Sequence, residues 1–280
     1  MADTILSFEV FPPKKEDEFE EVYSVLDKLG MLNPAFISVT YGAGGSRSKK
    51  TVEIASYIQN KLNITALAHM TCVGNKKEDI DQVIDQLSSN NIKHVLALRG
   101  DRPAYMTDAQ FNARDFSYAS ELIAYLKAKD STLHIAGACY PEKHFEAESL
   151  FTDLNHLQEK VDCGCEMLIS QLFMKNDFFY RFREACLDRG ITVPIHAGIM
   201  PITSVKQLDS SISLSGSSIP KAFSDLIARY GAEPDEMRKA GIDYAIQQII
   251  DLQKHGVDGI HLYSMNRPKT TAEIVNALSR

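Results

Sequence analysis

The sequence has no tryptophan, few cysteines, and no long run of apolar or basic residues. No stretch approaches the roughly 20 apolar residues that a membrane-spanning helix needs, so no membrane partner is expected. Net charge is −7, which argues against nucleic acid or an anionic lipid surface as the main partner. The five cysteines, Cys72, Cys139, Cys163, Cys165 and Cys186, are odd in number and fall inside expected elements. That usage suits a reducing cytoplasm better than a disulfide framework. The opening Met-Ala-Asp-Thr has neither a basic n-region nor a continuous apolar stretch, so no signal peptide is expected.

What is there is enough for one large core: 280 residues, 44% of them apolar. Short β-branched or apolar runs alternate with longer amphipathic stretches. The runs predict strands at about 5–10, 35–40, 65–71, 94–99, 133–139, 167–173, 193–199 and 259–264. Helical periodicity lies between them, at 16–29, 48–61, 77–89, 115–128, 148–163, 177–189, 234–254 and 270–279. Eight strand-then-helix units in one series predict an α/β chain folded as a closed (β/α)8 barrel, one domain over 1–280. The segment 204–233, with its Ser/Gly-rich 210–218, is the least regular part. It reads as an extended βα loop or extra helices over the barrel mouth.

A barrel gathers reactive groups at the C-terminal ends of its strands, because those ends share one face. Those positions hold Glu9; Thr40 and Tyr41; His69 and Thr71; Arg99 and Asp101; Tyr140; Gln171; Met200 and Pro201; and Tyr263 with Asn266 and Arg267. Any one of them has a bland reading, as a solvent-facing strand residue, a satisfied core histidine or a rim ion pair. Their shared position favours an enzyme. Glu9 is the sharpest case, set between Phe8 and Val10 and followed by Pro12 and Pro13, because a charge there is costly to bury. "YGAGGSRSKKT" (41–51) is not a dinucleotide loop: Arg47 stands where G-x-G-x-x-G needs its third glycine. "HMTC" (69–72) and "CGC" (163–165) lack the spacing of a closed zinc site.

The blocks "FEVFPPK" (8–14), "FISVTYGAGG" (36–45), "LAHMTC" (67–72), "VLALRGDRP" (95–103), "CYPEKH" (139–144), "LISQLF" (168–173), "GIMPI" (198–202) and "LYSMNRP" (262–268) together resemble the short bacterial methylenetetrahydrofolate reductases over essentially the whole chain. The resemblance implies a TIM barrel holding FAD, which NADH or NADPH reduces before 5,10-methylenetetrahydrofolate takes the hydride and becomes 5-methyltetrahydrofolate. It makes Glu9 the acid that protonates N10 of the folate, which needs a carboxyl pKa raised by burial. Asp101 would stabilise the cationic iminium, and Gln171 would meet pterin and nicotinamide in turn, in ping-pong order. Flavin contacts carry over to Tyr41, Ala43, His69, Arg99, Gly100, Asp101, Tyr118, Tyr140, His144, Asp153 and Lys160, with Thr40 on the nicotinamide side. Arg99 and Lys160, with His144, would neutralise the diphosphate. Gln207, Tyr263 and Arg267 carry over as substrate contacts. The resemblance also implies small-molecule partners only, a homo-oligomer, and a cytoplasmic role supplying methyl groups for methionine synthesis.

The chain departs from the pattern in two places. The extra loop offers Ser211 and Ile212 where relatives often carry a stacking aromatic ring, and His156 and Glu159 replace an amide and a basic residue near Asp153. No ribose-reading acidic signature separates NADH from NADPH. Two other classes stay open: a metal-dependent barrel lyase or hydrolase using His69, Cys72, Glu9 and Asp101, and a flavin- or folate-binding protein without turnover.

Overall fold

The computed structural model describes residues 4–13, 18–41, 45–102 and 105–279. Eight parallel strands close into a barrel in chain order: β1 (Ile5–Val10), β2 (Phe36–Val39), β3 (Thr65–Thr71), β4 (His94–Leu98), β5 (His134–Cys139), β6 (Met167–Ser170), β7 (Ile195–Ile199) and β8 (Gly259–Tyr263). Ring closure comes from β1 against β8, with Glu9 beside Tyr263, while on its other side Glu9 pairs in register with Ser38 of β2. The helices packed around the barrel are α1 (Phe19–Gly30), α2 (Gly45–Ser56), α3 (Lys77–Ser89), α4 (Asp108–Asn112), α5 (Ala119–Lys129), α6 (Leu150–Asp162), α7 (Asn176–Asp188), α8 (Val205–Ser215), α9 (Lys221–Tyr230), α10 (Pro234–Lys254) and α11 (Pro268–Leu278).

Period-2 alternation divides every strand between two cores. Phe8, Val10, Ile37 and Val39 face outward into the large core shared with the helices. Phe36, Leu67, Leu96, Ala136 and Ile169 fill the barrel interior as a separate cluster. Of the odd residues of β1, Ser7 and Glu9 are therefore buried in the interior, and Glu9 occupies the end nearest the mouth.

The expected strands are all present, β1 and β3 with the expected bounds and the other six with shorter ends. The largest difference is β6, expected over 167–173 and ending at Ser170. Leu172 and Phe173 are buried for another reason: their carbonyls accept from Ser217 Oγ at 2.7 Å and Gln248 Nε2 at 2.9 Å, so this loop is covered by the segments after β7. The irregular stretch 204–233 resolves into α8 and α9. These helices build a satellite core of Met174, Ile202, Leu208, Phe223 and Met237 against α10. Two features were not foreseen: short α4, closed by reciprocal Thr107–Gln110 capping bonds, and a π-helical turn over Tyr57–Lys61 extending α2.

Candidate active site

Glu9 is only 9% exposed, and burial pushes its carboxyl up to about 8. His69, from β3, two strands round the barrel from Glu9, is 6% exposed, and burial lowers its imidazole to about 3. The two approach at 3.6 Å, Glu9 Oε2 to His69 Nε2. With both groups neutral near pH 7, and the distance beyond a hydrogen bond, this contact is not an ion pair. His69 Nε2 is buried without a hydrogen-bond partner among the described residues.

The end of β1 is fixed by more than its two prolines. Asn266, just past β8, accepts from Phe11 N–H and donates to Phe11 C=O, both at 2.9 Å. One side chain thus replaces a ladder pair where the strand stops, and it holds the backbone two residues beyond Glu9. Tyr263 adds a tether across the interior, its hydroxyl donating to the Ser170 carbonyl at 2.7 Å. Only a glycine leaves room for that crossing: a Cβ on Gly198 would lie 2.1 Å from Ser170 O and 2.7 Å from Tyr263 Oη. Gln171 follows directly, and its side-chain oxygen accepts from Leu172 N–H at 2.8 Å. That leaves the amide nitrogen for a ligand.

The β4–β6 side of the rim carries a connected polar group. Arg99 engages Glu146 with both terminal nitrogens, which raises the guanidinium pKa further. Glu146 N–H donates to His144 Nδ1 at 3.1 Å, and His144 N–H donates to Asp153 Oδ2 at 2.9 Å. Lys160, its pKa lowered by burial, donates to the Ala138 carbonyl at 2.8 Å. Tyr140 meets His144 edge-on at 4.6 Å between ring centres. Burial, then the charges of Asp101 and Asp153, raise the phenol's pKa. Asp101 itself is exposed just past β4, next to Gly100.

The β2 side holds Thr40, whose N–H donates to Val10 O at 3.1 Å, and Tyr41, whose hydroxyl donates to Asn75 Oδ1 at 2.9 Å. Ala43 lies outside the described residues. Tyr118 is 55% exposed and stacks on His156 at 5.9 Å, and His156 in turn bonds Glu159 at 3.3 Å. The two departures near Asp153 therefore form one pair beneath an exposed ring. Opposite, Gln207 and Arg267 are joined through Thr203.

Sequence reading missed three contributors: Glu146, Thr203 and the clamp role of Asn266. Only Asn266 carried a signal, its place after β8. Ser211 is 6% exposed and turned back onto Gln207 O and Met200 Sδ, and Ile212 packs on the satellite core. An exposed ring beside this segment is Phe145, 55% exposed and stacked on His144 at 4.6 Å. Among the described residues no group of three or more His, Cys, Asp or Glu side chains could hold a metal ion. Cys72 belongs to the outer core, its thiol donating to Tyr118 O.

Comparison with known proteins agrees with this architecture. The family model described as methylenetetrahydrofolate reductase matches residues 1–279. The 5,10-methylenetetrahydrofolate reductase of Pectobacterium carotovorum is 32% identical, the match covering 98% of this chain and 89% of that one. The Escherichia coli protein of the same name is 31% identical, with 98% and 90% covered. Methylenetetrahydrofolate reductase (NADH) 1 of Arabidopsis thaliana is 34% identical over 97% of this chain, which spans 48% of the plant protein. A Clostridium thermocellum protein, described as binding two copies of 5-methyl-5,6,7,8-tetrahydrofolic acid, superposes with a TM-score of 0.65 at 14% identity, covering 99% of this chain and 94% of that one. At that identity the likeness speaks for the fold alone. With a family model spanning nearly every residue and bacterial relatives above 30% identity over most of both chains, this chain belongs to the methylenetetrahydrofolate reductase family.

Proposed function

We propose that this chain reduces 5,10-methylenetetrahydrofolate to 5-methyltetrahydrofolate with NADH or NADPH, in two half-reactions linked by FAD. The observation that supports this most is Glu9: a carboxyl group at the mouth of the barrel, pushed up to about 8 by burial, beside an imidazole too weak a base to take its proton. Such a group is a filled proton donor at neutral pH.

FAD fits the rim on one structural ground, the buried His69 Nε2 without a partner, supported by the cationic side chains gathered at β4–β6. The residues that would hold it are Tyr41, Ala43, His69, Arg99, Gly100, Asp101, Tyr118, Tyr140, His144, Asp153 and Lys160, with Thr40 on the nicotinamide side. When bound, FAD supplies the two-electron chemistry that accepts a hydride from the nicotinamide and delivers it to the folate. Arg99, freed from Glu146, would present its fork to the diphosphate.

Glu9 holds its proton at Oε1 or Oε2 until the folate binds and then donates it to N10. The N10–methylene bond of the five-membered ring breaks, and a cationic N5 iminium remains on the substrate. Asp101 provides the negative charge that stabilises this cation. Gln171 offers its amide to whichever ring occupies the mouth, so one site serves both substrates in ping-pong order. Gln207, Tyr263 and Arg267 line the substrate side. The product suits methionine synthesis by a cytoplasmic, self-associating protein whose catalytic unit is 1–280.

Anaerobic titration tests it. Purified yellow protein should bleach with NADH or NADPH and regain its colour on adding methylenetetrahydrofolate, with 5-methyltetrahydrofolate found by mass spectrometry. Bleaching without recovery by the folate would refute the assignment.

A further inference from the structure

Thr203 is 7% exposed and sits four residues past β7, between two side chains placed above on the folate side. Gln207 Oε1 accepts from both the N–H and the hydroxyl of Thr203, each at 3.0 Å. Gln207 Nε2 donates to the Pro201 carbonyl at 3.0 Å. Arg267 donates from a terminal nitrogen to Thr203 Oγ1 at 2.8 Å. A hydroxyl has one hydrogen and an amide oxygen has none. The hydrogen of Thr203 must therefore go to Gln207, and one of its two lone pairs receives Arg267. The direction of the chain is fixed, running from Arg267 through Thr203 to Gln207 and on to Pro201.

The backbone on both sides is held. A Cβ on Gly241 of α10 would lie 1.8 Å from the Ile202 carbonyl, so the helix backbone supports the loop directly beneath Thr203. Ser204 caps α8, its oxygen accepting from Gln207 N–H at 3.2 Å. Arg267 adjoins Asn266, which is clamped to Phe11. Because the amide oxygen of Gln207 is engaged inward by two donors, the side-chain groups that Gln207 and Arg267 have left for a ligand are N–H donors. Such a surface suits the carbonyl- and carboxylate-bearing part of a folate and rejects a donor-rich group.

Resting on the folate reading above, we propose that Thr203 is a positioning residue for folate recognition, which orients the Gln207 amide and the Arg267 guanidinium through one directional hydroxyl. It touches neither substrate nor reacting atoms.

Thr203→Val keeps the shape and removes the hydroxyl, and Thr203→Ser restores it. On flavin-loaded protein, calorimetry with 5-methyltetrahydrofolate and stopped-flow bleaching by NADH separate the two sides of the site. The proposal expects Thr203→Val to weaken 5-methyltetrahydrofolate about tenfold, with NADH bleaching unchanged and Thr203→Ser near wild type. In an Arg267→Ala/Gln207→Ala background the valine substitution should cost nothing more. Wild-type affinity in Thr203→Val, failure of serine to rescue, or a parallel loss of NADH bleaching would each overturn it. Wild-type protein that binds no 5-methyltetrahydrofolate would sink the folate reading itself, and this proposal with it.

Discussion

Replacing Glu9 by glutamine should change how the protein's stability depends on pH. In the folded chain this carboxyl keeps its proton up to about 8, against an ordinary value of 4.5. The folded state therefore holds a proton that the unfolded chain has already released, and stability falls as pH rises from 4.5 to about 8, then levels. At 1.36 kcal/mol per pH unit, that gap makes the fully ionised state about 5 kcal/mol less favourable than the protonated one, of which about 4 kcal/mol lies between pH 5 and 9. Glutamine has no proton to lose. Urea denaturation of wild type and Glu9→Gln in the same ligand state should show the variant gaining on wild type by several kcal/mol across that interval. His69 stays neutral above about 3 and does not interfere. A stability difference flat to within about 1 kcal/mol from pH 5 to 9 would refute the burial argument.

Two further outcomes follow from neighbouring geometry. Gly198→Ala puts a methyl group 2.1 Å from the Ser170 carbonyl and should destabilise the barrel by roughly 3 kcal/mol or more, read as a drop in denaturation midpoint; a change under about 1 kcal/mol would contradict the close crossing of Tyr263. His196, whose imidazole burial lowers to about 4, contributes stability that is present above 6.5 and lost as pH falls through about 4. Its replacement by asparagine should therefore flatten the acid limb of a stability–pH curve, and an unchanged slope would count against a buried neutral ring.

The barrel was legible because strands closed on both faces still alternate between two different cores. The boundaries of β1 and β3 are those the sequence predicted, since polar or proline residues end them sharply. The end of β6 was not legible: past Gln171, Leu172 and Phe173 resume the apolar run because the loop is covered by the segments after β7, and burial alone cannot distinguish that from a strand. Helices α8 and α9 were open for a similar reason, as their apolar faces meet only a small satellite core. The ring of strand-end residues was also readable, because one topological rule places it. Glu146 was not, since its partner Arg99 lies 47 residues away and no local spacing links them. Thr203 carries no sequence signal at all, as its part depends on the direction of hydrogen bonds that exist only after the loops following β7 and β8 come together.

The central claim is that a protonated Glu9 opens the folate ring. It is tested most directly by mixing prereduced protein with methylenetetrahydrofolate in a stopped-flow instrument across pH 6 to 9. Wild type should recover its flavin colour in one phase that slows as pH rises through the high range where Glu9 ionises. Glu9→Gln should be slower by about a hundredfold or more while NADH still bleaches it normally. A Glu9→Gln protein that reoxidises with folate at the wild-type rate would contradict the account.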